Sequence, residues 1–309
     1  MTANSAENRT AVGLRPAAGS SLPVGSLSAV MGRHPLIAFF VLAYGLSWLA
    51  LLLLHGLLGL PAALVILLQT LGPTLAALAV ITVVQGPEAR ARLLSRVRLW
   101  RVGFRWYLVA LLGIPLACLL AAFALPGAMR SFSGVSPVRP VIEYIVLLVV
   151  GALSGPLFEE PGWRGFALPR LQSQIGPLRG TLLLGGLWAG WHLPQFLIPE
   201  WAGQNGGSSL IIIGEFLLLV VLLAPVMTWI FNRTKGSLLL VMVTHSSLNA
   251  ALSVLVVASS AMAVGLLAFG TLSLALVLGT RGRLGYERPD PVSEAQGRFA
   301  VPADAPRSS

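Results

Sequence analysis

The sequence predicts an all-α, polytopic membrane protein with eight transmembrane helices, and three observations predict it. Of its 309 residues 56% are hydrophobic and only 10% charged, against about 25% charged in soluble domains, and the mean hydropathy is +0.82. The chain divides into eight apolar runs of spanning length, joined by short polar, basic or Pro/Gly/Ser-rich connections. With a cytoplasmic N-terminus, nineteen of the 21 Lys and Arg residues fall in the inside segments. Only Arg130 and Arg139 fall outside, which is the bias that orients membrane proteins. Both termini are then cytoplasmic.

Residues 1–35 read as a disordered, weakly basic tail with no apolar signal-peptide core. The transmembrane domain covers 36–279. Its first span, 36–56, ends at His55-Gly56, and the second, 60–84, carries Gly72-Pro73 as an expected kink. Arg90, Arg92, Arg96, Arg98, Arg101 and Arg105 follow, interleaved with Leu93, Leu94, Val97, Leu99 and Trp100. Such a segment suits the surface of an anionic leaflet. The third span is 106–125, a connection over 126–140 follows, and the fourth span starts at 141. The fifth is expected at 180–199, the sixth at 210–231, the seventh at 237–257 and the eighth at 261–279. Residues 280–309 read as a second disordered tail.

The net charge of +10 is no nucleic-acid signature, because the basic residues sit in the connections between spans. Cys118 stands alone, which excludes an internal disulfide and a thiolate metal cluster.

The run Val141 to Phe158 holds one charge, Glu143, and ends in Glu159-Glu160-Pro161-Gly162-Trp163-Arg164. Ionisable groups beside the bilayer are costly and point to a site. The competing reading is an interfacial ion pair that closes a helix. Two of the four histidines decide between them. His34 and His55 flank the first span, whereas His192 and His245 lie inside spans. Counted from residues 180 and 236, they reach about 18 Å and about 13–14 Å from the cytoplasmic side at ~1.5 Å per residue. Trp188 and His192 share a helix face, as do His245 and Asn249. A carboxylate and an imidazole can deprotonate one water. An amide and a second imidazole can donate to an oxyanion. Glu160 and Arg164, four apart, can pair and leave Glu159 free. The sequence has neither a Gly-x-Ser-x-Gly elbow nor a His-Glu-x-x-His zinc motif.

Glu159-Glu160-x-x-x-Arg164, Trp188-x-x-x-His192 and His245-x-x-x-Asn249, in that order, resemble the CPBP family. These are the CAAX-protease and bacteriocin-processing (Abi) membrane proteins, related to the Ras-converting CAAX endoprotease. The resemblance covers about 140–255. It implies an intramembrane endopeptidase with eight helices and a cavity open to the cytoplasm. It acts on a membrane-associated peptide or protein near its C-terminus. By motif position Glu159 and His192 activate the water, His245 and Asn249 stabilise the oxyanion, and Glu160, Arg164 and Trp188 support them. No cofactor is expected, since Asn249 is a poor zinc ligand but a good oxyanion donor. The alternative is a zinc enzyme with Glu159, His192 and His245 as ligands. Two other classes compete: a silent immunity or binding protein of the same fold, and a proton-relaying transporter. The intact motifs oppose the first, and the lack of inverted repeats opposes the second. The single lysine in an Ala/Leu/Gly/Arg-rich chain suggests a bacterial protein of a high-GC genome, with peptide maturation or self-immunity as its role.

Overall fold

In the computed structural model, residues 24–126, 138–255 and 261–287 are described, and all their regular elements are helices. In chain order these are α1 (Val24–Arg33), α2 (Pro35–Ala50), α3 (Ala62–Gln85), α4 (Pro87–Ser95) and α5 (Phe104–Ala124). Then come α6 (Val138–Ser154), α7 (Pro156–Glu160), α8 (Leu168–Ile175), α9 (Pro177–Trp191) and α10 (Pro199–Gln204). Last are α11 (Leu210–Arg233), α12 (Leu238–Leu255) and α13 (Ala261–Gly279). The core is aromatic: Phe39, Trp163, Phe166 and Trp191 are fully buried and meet ring to ring at 4.9 to 5.9 Å. On α6, by contrast, Val141, Ile142, Ile145, Val146, Val149 and Val150 are exposed. An apolar face of that extent belongs in lipid.

Among the described residues, six helical stretches are long and apolar enough to cross a membrane. They are Pro35–Leu57, Ala62–Gln85, Phe104–Ala124, Val138–Ile175, Leu210–Arg233 and Met262–Gly279. They fall on the first, second, third, fourth, sixth and eighth expected spans. The seventh is a shorter apolar helix, Leu238–Val254. The fifth, expected over 180–199, is corrected: α9 stops at Trp191 after 15 residues. Pro194 has no N–H for the Gly190 carbonyl, so the α-helical ladder cannot continue. A 3₁₀ turn, Leu193–Leu197, and the short α10 follow instead.

Both tails also need correction. Residues 24–33, inside the expected disordered segment 1–35, form α1. At the other end, 280–287 fold back onto the bundle. Gly282 and Gly285 take φ of 73° and 70°, left-handed values that suit glycine. They let Leu284 bury completely, and its carbonyl accepts from Asn232 Nδ2 at 2.9 Å. The expected tail positions 1–23 and 288–309, most of the connection 126–140 and the turn at Ser259-Ser260 lie outside the described residues.

The 38-residue stretch Val138–Ile175 positions the site. A straight helix of that length would run about 57 Å, far beyond a ~30 Å hydrocarbon core, so it has to break. The sequence points to Pro161 as the kink. The chain breaks earlier, at Gly155-Pro156, where the Phe158 and Glu159 N–H groups both turn back to the Gly155 carbonyl at 2.8 and 3.0 Å. Pro161 instead opens a wide π-type turn, Pro161–Ala167, buried throughout. The piece from Trp163 onward packs into the bundle, with Trp163, Arg164, Phe166, Leu168, Leu171 and Gln172 all buried.

Gly162 is where this piece crosses α3. A Cβ built there overlaps the carbonyl of Pro73. Gly162→Ala is therefore expected to lower the unfolding temperature of the detergent-solubilised protein by several degrees, from an overpacking cost of about 1–3 kcal/mol. Gly45→Ala, at a helical position with nothing within 4 Å, is the control. It should be neutral or mildly stabilising.

Candidate active site

The chain reverses at Gly176, whose φ of 87° suits a residue without Cβ. α8 and α9 then pack closely enough that a Cβ on Gly180 would lie 2.8 Å from the Leu171 carbonyl carbon. Along this hairpin Glu159 lies seventeen residues before the turn and His192 sixteen after it. Nearly equal arms bring the two to a similar level.

Trp188 joins them. Its indole Nε1 donates to Glu159 Oε2 at 3.0 Å, and its carbonyl lies 2.8 Å from His192 Nδ1. A carbonyl only accepts, so Nδ1 carries the proton, and in the neutral ring Nε2 keeps its lone pair. His192 caps the C-terminal end of α9 and is half-buried, so this nitrogen belongs to a ring that is not sealed in the core. The helix end is fastened from α2. The Tyr44 hydroxyl donates to the Leu187 carbonyl, and Trp48 Nε1 donates to the Trp191 carbonyl at 3.1 Å. Phe216 on α11 packs against the His192 ring at 5.3 Å.

Glu160 faces another way. Its Oε1 accepts from Arg164 Nη1 at 3.0 Å and from His245 Nδ1 at 2.8 Å. Both carboxyl and guanidinium are buried, at 0% and 1% exposure. The Arg164 guanidinium also lies 4.0 Å over the Trp188 ring, a cation–π contact in a desolvated setting. His245 meets the same indole edge-on at 5.3 Å. Trp188 is thus the hub of the site.

The structure therefore brings together Glu159, Glu160, Arg164, Trp188, His192 and His245. Asn249 lies one turn beyond His245 on α12, and its side chain is exposed. Its carbonyl accepts from Ser253 Oγ at 2.8 Å, and no bond joins its amide to the other site residues among those described. The zinc ligand set, Glu159, His192 and His245, is arranged around the indole. Among the described residues no three His, Cys, Asp or Glu side chains form a group able to hold a metal ion. As arranged, these residues do not fit the ion.

The motifs left out four contributors. Tyr44, Trp48, Gln69 and Thr74 come from the first two apolar runs and reach residues 84 to 143 positions away. The one visible signal was Gln69, a lone amide inside an apolar run. Thr74 gives its hydroxyl to the carbonyl of Phe158, the residue before Glu159.

Residues 141–251 match the family model of the Rce1-like type II CAAX prenyl endopeptidases. That segment of the chain is similar to the CAAX-protease type. It contains every site residue named from the motifs. A curated relative, CAAX prenyl protease 2 of Methanococcus maripaludis, is 28% identical over 140 residues, covering 45% of this chain and 48% of the relative. The chain thus spans about half the length of the curated relative it matches.

Proposed function

We propose that the chain is an intramembrane endopeptidase that hydrolyses a peptide bond near the C-terminus of a membrane-associated peptide or protein. The observation that carries this reading is the pairing of Glu159 and His192 through one tryptophan. The indole holds the carboxylate, and the backbone carbonyl fixes the imidazole tautomer with Nε2 unprotonated.

A water between the two loses a proton to this pair, and its oxygen attacks the scissile carbonyl carbon. The carbonyl π electrons move to oxygen, and the oxyanion is met by His245 and by the Asn249 amide. Because Glu160 occupies His245 Nδ1, the nitrogen left to meet the oxyanion is Nε2. Collapse expels the amine, which takes up the proton first removed from water. The products are a shortened chain with a new carboxyl group and a released C-terminal peptide. Asn249 reaches the oxyanion after a rotamer change, since its amide is exposed and unengaged in the substrate-free protein. The eight-span topology with cytoplasmic termini and a cytoplasmic opening is part of the same proposal, supported by the distribution of basic residues.

The test is cleavage of a library of membrane-anchored peptides by the purified chain in nanodiscs. Glu159→Ala and His245→Ala serve as comparisons, and 1,10-phenanthroline and metal content are measured in parallel. We expect cleavage by the wild type, chelator insensitivity and loss of activity in both variants. Equal cleavage by all three proteins would overturn the assignment. Chelator-sensitive cleavage with one bound zinc per chain would overturn the metal-free mechanism.

A further inference from the structure

Two buried carboxamides near the site have no part in the chemistry above. Gln69, about a third of the way along α3, is fully buried, and Gln195, in the 3₁₀ turn after His192, is 3% exposed. Gln195 Nε2 donates to Gln69 Oε1 at 3.2 Å, across 126 residues of sequence. The other polar atoms of the pair, Gln69 Nε2 and Gln195 Oε1, are buried without a protein partner. Burying amides incompletely satisfied costs stability that an apolar pair would not. Packing alone gives no reason for them.

Their placement does. His192 is the first residue beyond α9, so its direction depends on the turn that follows. Within that turn the bonds are local: Gln195 N–H to the His192 carbonyl at 2.9 Å and Ile198 N–H to the Gln195 carbonyl at 3.0 Å. The Gln195 side chain ties the turn to a different helix. Gln69 is itself anchored, its carbonyl accepting from Ser47 Oγ at 2.8 Å. Further along the same helix, Pro73 abuts Gly162 and Thr74 holds the Phe158 carbonyl. α3 therefore grips the His192 turn through Gln69 and the Glu159 segment through Pro73 and Thr74.

We propose that Gln69 and Gln195 are positioning residues, and that α3 is the spacer that sets the distance between His192 and Glu159. The proposal rests on the endopeptidase reading and deepens it. It places part of the catalytic geometry in the half of the chain outside the matched segment. Misplacing a reacting group by about 1 Å can cost about 100-fold in rate.

The experiment compares Gln69→Ala, Gln195→Ala, their double and the shape-conserving double Gln69→Leu/Gln195→Leu, as full chains in nanodiscs. In each, kcat should fall about 10- to 100-fold while KM stays within about twofold. The alanine double should be no slower than either single, because all three remove one tie. The leucine double has no buried polar atoms to satisfy. It should stay folded with wild-type melting and still be slow. The second readout needs no substrate. With four histidines in the chain, 15N spectra resolve His192, whose Nδ1–H tautomer should give way to an averaged signal in every variant. Unchanged kcat, multiplicative losses in the alanine double or an unaltered His192 signal would overturn the proposal. A wild type that cleaves nothing, with the spectral change present in the variants, supports the tie and overturns the endopeptidase reading.

Discussion

Glu159→Gln is expected to lower kcat by about 10²- to 10⁴-fold, the usual contribution of a general base, with little change in melting temperature. The substitution keeps the shape and leaves an amide oxygen for the Trp188 indole N–H, which now bonds Glu159 Oε2 at 3.0 Å. Only the proton affinity of the group is lost. His192→Ala should cost a similar factor, since its Nε2 is the other half of the proposed water-activating pair. The double variant should be little worse than either single, because in the proposed mechanism both residues act on one water and cannot be removed twice. The measurement is single-turnover cleavage of an anchored peptide, with thermal unfolding as the control for folding. A double variant whose loss is the product of the two singles would show independent roles and dismantle the shared-water mechanism.

How far the sequence reveals this site depends on the distance over which each contact acts. Glu160 and Arg164, or Trp188 and His192, are four residues apart on one helix, and their pairing could be read directly. The spans with uninterrupted apolar runs were equally plain. The fifth was not, because the apolar stretch Leu193 to Ile198 continues past the end of α9, and only Pro194 marks the change of structure. The kink was assigned to the wrong proline for a related reason. Pro156 and Pro161 both interrupt the ladder, and the choice between them is made by α3, which packs Pro73 on Gly162 and Thr74 on Phe158. Counted from Val141 at ~1.5 Å per residue, Glu159 falls about 27 Å along the fourth span, nearer the cytoplasmic surface than the count for His192. The relevant origin is the turn at Gly176, which the two residues flank almost symmetrically. The supports from α2 and α3 form no motif with the site, since nothing local records that Gln69 will meet Gln195.

Arg164→Met is expected to destabilise the protein by about 3–5 kcal/mol, the range for removing one partner of a buried ion pair. Glu160 is wholly buried and Arg164 is 1% exposed, so no solvent reaches the carboxylate once the guanidinium is gone. His245 remains at 2.8 Å, but one imidazole replaces neither the lost charge nor the plane that Arg164 lays over Trp188 at 4.0 Å. Arg164→Lys should recover little, because a compact ammonium lacks that planar stacking surface. Glu160→Gln in the Arg164→Met background should recover much of the stability, since it removes the stranded charge. Reversible unfolding in mixed micelles, followed by tryptophan fluorescence, measures these variants beside the wild type and the Glu160→Gln single variant. Additive losses in the double variant would mean that the pair is not coupled. The rescued double variant should nonetheless be a poor enzyme. Without the Glu160 carboxylate, His245 loses the acceptor that fixes its ring, and the proposed oxyanion donor is no longer aimed. Stability would return without activity. That separates the two functions of Glu160, balancing a buried arginine and orienting a histidine.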